Sequence, residues 1–103
     1  MMQTNTAPKI YALTTDEQRL IQIMKALAHP ARMQIVRYLG ENPQCITGDI
    51  VDSLPLAQAT VSQHLKVLRE AGIICGTIEG PAICYCLDSG TLEWFKSRVG
   101  DLL

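Results

Sequence analysis

The sequence predicts a mainly α-helical fold closed by one β-hairpin, in the order α-α-α-α-β-β-α, and three observations predict it. Two short helical segments, one opened by Thr47 and ended by Pro55, the other spanning Gln58–Glu70, are joined by a tight turn. Two runs rich in β-branched and apolar residues, Ile73–Ile78 and Ala82–Leu87, flank Glu79-Gly80-Pro81. Amphipathic helical stretches stand on either side of this unit. A helix-turn-helix followed by a hairpin is a winged helix-turn-helix.

The first helix is expected over Asp16–Leu27, capped by Thr15 or Asp16, with Leu20, Ile23, Met24 and Leu27 on one face. Ala28-His29-Pro30 interrupts the pattern, and Pro30 suits the first turn of a second helix. That helix is expected to turn Met33, Val36 and Leu39 inward and to stop at Gly40, followed by a loop over Glu41–Gln44. Ile50, Val51 and Leu54 form the apolar side of the short third helix, and Val61, Leu65 and Leu68 that of the fourth, which Ala71-Gly72 closes. A last helix over Thr91–Leu103 places Leu92, Phe95, Val99 and Leu102 on one stripe. Residues 1–14 are expected to be a flexible arm, and residues 15–103 a single domain.

Length and composition agree with one core. The chain has 103 residues, 48% of them hydrophobic and only 18% charged, with a formal net charge of −1. That balance excludes a disordered chain and a strongly basic nucleic-acid binder. No run of about 18 apolar residues is present, so no membrane span is expected. Met1–Ala7 is polar and lacks the apolar core of an export signal, which points to a cytoplasmic protein. The four cysteines are then expected to be thiols in a reducing compartment. There is no internal repeat, no phosphate-binding glycine loop, no Cys-x-x-Cys and no hydrolytic constellation, so an enzyme is not expected.

The residues Leu27-Ala28-His29-Pro30-Ala31-Arg32, Asp49-Ile50-Val51, the run from Thr60 to Ile74 (TVSQHLKVLREAGII) and Cys84-Tyr85-Cys86-Leu87 carry a resemblance. In this order they resemble the ArsR/SmtB family of metal- and stress-sensing repressors, over roughly residues 15 to 90. The Thr60–Ile74 run is the specific part. The resemblance implies a homodimer paired through its first and last helices, here through Leu20, Leu92, Phe95, Val99 and Leu102. It implies two recognition helices entering successive major grooves of a palindromic operator, and an inducer that loosens the grip.

On the fourth helix, Gln58, Ala59, Thr60, Ser62, Gln63 and Lys66 point outward, and His64 occupies a family position beside them. Gln pairs bidentately with adenine, and Ser and Thr serve bases or phosphates. Lys66, Arg69 and Arg32 are candidate phosphate contacts. An ordinary solvated helix face would look the same in isolation; the motif order favours DNA. Three departures from the family thin the expected contact, the first being Ala59, which stands where the family commonly has a polar residue. Ala57 replaces the usual capping Ser, and the wing tip Glu79-Gly80-Pro81-Ala82 carries an acid and no base. His29 and His64 are read as structural or DNA-facing residues before metal ligands, since no second ligand lies at suitable spacing.

Family metal sensors often carry Cys-x-Cys on the first motif helix or His and acidic ligands on the last helix, and this chain has neither. With Gly80-Pro81 as a two-residue turn, 79 opposes 82, 77 opposes 84 and 75 opposes 86. Ile74, Ile78, Ile83, Tyr85 and Leu87 then share the core face, and Cys75, Thr77, Cys84 and Cys86 the other. Directly opposed Cys75 and Cys86 would have Cβ atoms ~5 Å apart, with Cys84 diagonal to Cys75 at ~7–8 Å. Buried cysteine is commonly a small hydrophobe. Clustered accessible thiols instead suit trivalent arsenic or a soft divalent metal as inducer, with Cys75, Cys84, Cys86 and Cys45 as candidate ligands, or reversible thiol oxidation. No cofactor is otherwise required. A winged-helix protein-interaction module that does not bind DNA is the reading from another class, supported by the near-neutral charge and the acidic wing.

Overall fold

The computed structural model describes residues 12–43, 45–79 and 82–103, with side chains for all of these except 45–48, 77–79 and 82. Most of the expected arm (residues 1–11) and the Gly80-Pro81 turn lie outside the described residues. The elements run α1 (Thr15–Leu27), α2 (Pro30–Glu41), β1 (Cys45–Ile46), α3 (Thr47–Asp52), α4 (Gln58–Glu70), β2 (Ile74–Glu79), β3 (Ala82–Leu87) and α5 (Ser89–Leu102). This is the expected winged helix-turn-helix with one strand added. β1 pairs antiparallel with β3, so the hairpin becomes a three-stranded sheet in the order β1-β3-β2.

The helix boundaries follow from their caps. α1 is capped by Thr14, not by Thr15 or Asp16. The Thr14 hydroxyl accepts from the Glu17 N–H at 3.0 Å, and the Glu17 carboxylate accepts from the Thr14 N–H at 2.9 Å, a reciprocal capping box. α2 begins at Pro30 behind His29, whose Nδ1 accepts from the Ala31 N–H at 3.1 Å. It continues through Gly40 to Glu41, and its inward residues are Ala31, Ile35 and Leu39. Met33, expected inside, is exposed. Only Leu39 of the expected trio is fully covered, because α2 is rotated so that the small Ala31 faces inward.

α4 ends in a Schellman motif. Gly72 takes φ +79°, the Gly72 N–H donates to Arg69 O and the Ile73 N–H donates to Leu68 O, both at 3.0 Å. Leu68 and Ile73, the apolar pair that this turn brings together, are both fully buried. α5 starts earlier than expected because Asp88 caps it, its carboxylate accepting from the Thr91 N–H at 2.9 Å.

One core unites these elements: Ile23, Ala26, Ile35, Leu39, Ile50, Val61, Leu65, Leu68, Ala71, Ile73, Ile74 and Tyr85. Burying a side chain such as Leu65 or Ile35 contributes about 1.5–3 kcal/mol each. Leu27, Leu87, Leu92, Trp94 and Phe95 pack around the rim. No helix among the described residues is long and apolar enough to cross a membrane.

Candidate nucleic-acid interface and hairpin thiols

The helical period divides α4 into two faces. Val61, Leu65 and Leu68 are sealed into the core, while Gln58, Ala59, Thr60, Ser62, Gln63, Lys66 and Arg69 are exposed. Every outward residue expected on this helix is therefore on the surface, and His64 is half-buried at its edge. Ala57 occupies the N-cap position with extended backbone and supplies no side-chain hydrogen bond. The first amides of α4 thus lack a side-chain acceptor at the cap.

His64 is fixed from behind. Its ring packs against that of His29, with centroids 4.4 Å apart and planes tilted by 48°. The Arg32 guanidinium stands 3.4 Å from His64 Nδ1. Arginine has donors only, so this contact is a hydrogen bond in the neutral tautomer that leaves Nδ1 as the acceptor. Burial lowers the His64 pKa from its ordinary value, and the neighbouring His29 and Arg32 lower it further.

Arg32 itself departs from its expected role. Nε donates to Ala26 O at 2.5 Å, one terminal nitrogen to Lys25 O at 3.3 Å, and the other faces His64. A guanidinium engaged by the C-terminal carbonyls of α1 and by an imidazole ties α1, α2 and α4 together. The His29–His64–Arg32 contact escaped sequence reading because His29 and Arg32 belong to the start of α2 and His64 to α4.

On the hairpin, the register is the expected one: Cys75 opposes Cys86, Thr77 opposes Cys84, Ile74 opposes Leu87 and Gly76 opposes Tyr85. Ile74 and Tyr85 are buried, Cys75 is exposed, and Cys84 and Cys86 are half-buried, as the face assignment requires. Cys45 pairs in register with Tyr85, and Ile46 with Cys84. The backbone therefore sets Cys45 opposite a core residue and not opposite a thiol; its side chain lies outside the described residues.

Two features bear on the expected thiol cluster, of which the Cys45 side chain lies outside the described residues. Among the described residues, no three His, Cys, Asp or Glu side chains are grouped to hold a metal ion. The Cys75 thiol also has a partner that sequence reading missed, donating to Asp88 Oδ2 at 3.3 Å. That carboxylate, with burial and the adjacent Cys86 thiol, raises the Cys75 pKa above its ordinary value. The Asp88 pKa is lowered, first by the Thr91 N–H and then by the Cys75 thiol.

Of the residues expected to pair protomers, Leu20 is already buried within its own chain. Leu92, Phe95 and Val99 are half-buried and Leu102 is exposed. Arg98 of α5 reaches Asp16 of α1 at 3.3 Å, and the Arg19 guanidinium lies 4.2 Å from the centre of the Trp94 ring, so α1 and α5 are joined along one side.

A profile of the bacterial regulatory proteins of the arsR family matches residues 29–75. The HTH-type transcriptional repressor SmtB of Mycobacterium tuberculosis is 41% identical over 66 residues, 64% of this chain and 48% of that protein. The chain thus aligns with about half the length of that relative. An HTH-type transcriptional regulator of Methanocaldococcus jannaschii, MJ1325, is 36% identical over 77% of this chain and 90% of its own length. Among solved structures, one described as a possible transcriptional regulator for arsenical resistance superposes with a TM-score of 0.70 at 26% identity, covering 79% of this chain and 82% of that one.

Proposed function

This chain belongs to the ArsR family of bacterial regulatory proteins, and we propose that within it the chain is a homodimeric repressor that holds a palindromic operator through α4. The observation that carries this reading is the exposed polar face of α4 on a fully buried apolar back. Gln58, Thr60, Ser62 and Gln63 are set to read base edges, with Lys66 and Arg69 against phosphates. The rigid backing by Val61, Leu65 and Leu68 supports the reading, because base contacts need a helix held in one orientation.

Pairing of two protomers through α1 and α5 would cover Val99 and Leu102 and set two α4 helices about one helical turn of DNA apart. The acidic Glu79 on the wing leaves most of the contact to α4. A thiophilic effector at the hairpin thiols, or their oxidation, would release the operator by favouring a DNA-incompetent arrangement of the dimer. The solved structure described as a possible transcriptional regulator for arsenical resistance supports an arsenical as the effector class.

The test is a gel-shift assay with operator DNA across a salt series. Wild-type affinity should fall steeply with salt, as phosphate contacts require. Gln58→Ala with Gln63→Ala should abolish retention. Unchanged retention would remove α4 as the reading element, and salt-independent binding would favour a protein-interaction module.

A further inference from the structure

We propose that the junction of His29, Arg32 and His64 is a proton-sensitive clasp on α4, closed when both imidazoles are neutral and opened by mild acid, so that acidification releases the operator. The inference rests on the reading of α4 as the operator-binding helix and adds to it a regulator, the proton.

The chain has two histidines, and histidine is the side chain that ordinarily changes charge between about pH 5 and 8. The fold brings both into one contact, ring against ring with centroids 4.4 Å apart. Each uses Nδ1 as an acceptor. His29 Nδ1 takes the Ala31 N–H at 3.1 Å and caps α2, and His64 Nδ1 faces the Arg32 guanidinium at 3.4 Å. Each Nδ1 can accept only in a neutral ring. The surroundings reinforce that demand. From α2 the charged groups facing His64 are His29 and Arg32, and both lower its pKa after burial does. Arg32 is a fixed positive charge, held by the carbonyls of Ala26 and Lys25 of α1. His29 stands at the positive end of the α2 dipole. On α4 itself the nearest charged neighbour in sequence is Lys66, another cation. None of the ion pairs among the described residues includes a member of this cluster.

His64 joins the clasp to the reading helix. It follows Gln63 directly and lies one turn after Thr60, and both of these are exposed on α4. His64 is half-buried, so solvent protons reach it. A proton taken onto His64 Nδ1 turns the acceptor into a donor facing a donor, and the Arg32 hydrogen bond is lost. A proton on His29 Nδ1 removes the α2 cap in the same way. Arg32 and the two rings then carry like charge, and α4 loses its tie to α1 and α2 at this point. A proton held more tightly by the open form shifts the balance towards that form. The sign separates this device from simple charge attraction. An imidazolium near phosphate would strengthen DNA binding in acid, whereas opening the clasp weakens it.

The probe is a labelled duplex that the reduced full chain selects from a random-sequence pool at about pH 7.5. Its binding is followed by fluorescence anisotropy at constant ionic strength from about pH 7.5 to about pH 5.5. Wild-type affinity should fall several-fold over this range while far-UV circular dichroism stays unchanged. His29→Asn supplies a capping oxygen that does not titrate. It should bind as wild type does at the upper pH and lose less affinity at the lower one. His64→Gln offers Arg32 an oxygen acceptor without a titrating ring, and its affinity should be the same at both ends of the range. Wild-type affinity that rises in acid overturns the inference, as does a fall that both variants share in full or that tracks loss of the helix signal. A chain that selects no duplex at the upper pH refutes the operator reading itself, and the clasp with it. A duplex held equally well throughout refutes the clasp alone.

Discussion

His64 on α4 and His29 at the start of α2 pack ring against ring, 4.4 Å between centroids, with Arg32 facing His64 Nδ1 at 3.4 Å. A second positive charge at His64 would face the guanidinium and lose the hydrogen bond that Nδ1 accepts. Burial first, and then the neighbouring His29 and Arg32, hold the His64 pKa of the folded protein below its ordinary value of 6.5. The unfolded chain takes up this proton first as pH falls. The stabilisation is fully present above about pH 6.5 and is lost as pH falls through the lower, folded value. The melting temperature should drop from about pH 7 to about pH 5 more steeply in wild type than in His64→Gln. Parallel profiles would show that His64 titrates without feeling its neighbours.

Arg32 ties three helices together through Ala26 O, Lys25 O and His64. Hydrogen bonds from a charged donor contribute more than neutral ones, so Arg32→Gln should cost about 1.5–3 kcal/mol in urea unfolding. A surface phosphate contact would behave in the opposite way. Its loss would leave stability unchanged and reduce the salt dependence of operator binding by about one charge. The second pattern would return Arg32 to the DNA-contact role that its motif implies.

These two residues mark where sequence reasoning reached its limit. α4 was legible to the residue because its period, its apolar triad and Ala71-Gly72 all state the same helix. The hairpin register was legible because Gly80-Pro81 leaves little freedom in pairing. β1 was not legible, since two residues, Cys45 and Ile46, carry no period and become a strand only by pairing with Tyr85 and Cys84. The Thr14–Glu17 capping box was present as a Thr-x-x-Glu pattern, but the adjacent Thr15 and Asp16 compete for the same role. The inward face of α2 was misplaced because hydrophobicity ranks Met33 and Val36 above Ala31, whereas close approach of helices favours the smaller side chain. In the candidate site, the exposed face of α4 followed from helical period alone. Asp88 and the His29–Arg32–His64 contact depend on the meeting of distant segments, which no local pattern records.

Ala57 offers a gain in stability. It stands at the N-cap of α4 with φ −67° and ψ 151°, the extended geometry of a capping residue, and makes no side-chain bond. Ala57→Ser should place a hydroxyl oxygen where it can accept a first-turn amide, raising stability by about 1 kcal/mol. For a domain of this size that corresponds to a melting shift of roughly 4–8 °C. No shift would mean that water already satisfies those amides equally well. Because the cap adjoins Gln58, operator affinity measured on the same variant also shows whether the end of α4 needs its amides free for DNA.

Gly76 tests the opposite effect. It pairs with Tyr85 across the hairpin, and a Cβ added there would stand 3.2 Å from both Tyr85 Cε1 and Ile83 Cγ2. Tyr85 is buried and belongs to the core, so its ring cannot move away from Gly76 without disturbing neighbours on the same face. Gly76→Ala should therefore destabilise the protein by about 1–3 kcal/mol, the cost of forcing extra volume into a packed contact. Urea unfolding gives the value. A neutral result would show that the Tyr85 ring slides freely along β2. The face that orders Cys75 and Cys86 would then be far less rigid than its register implies.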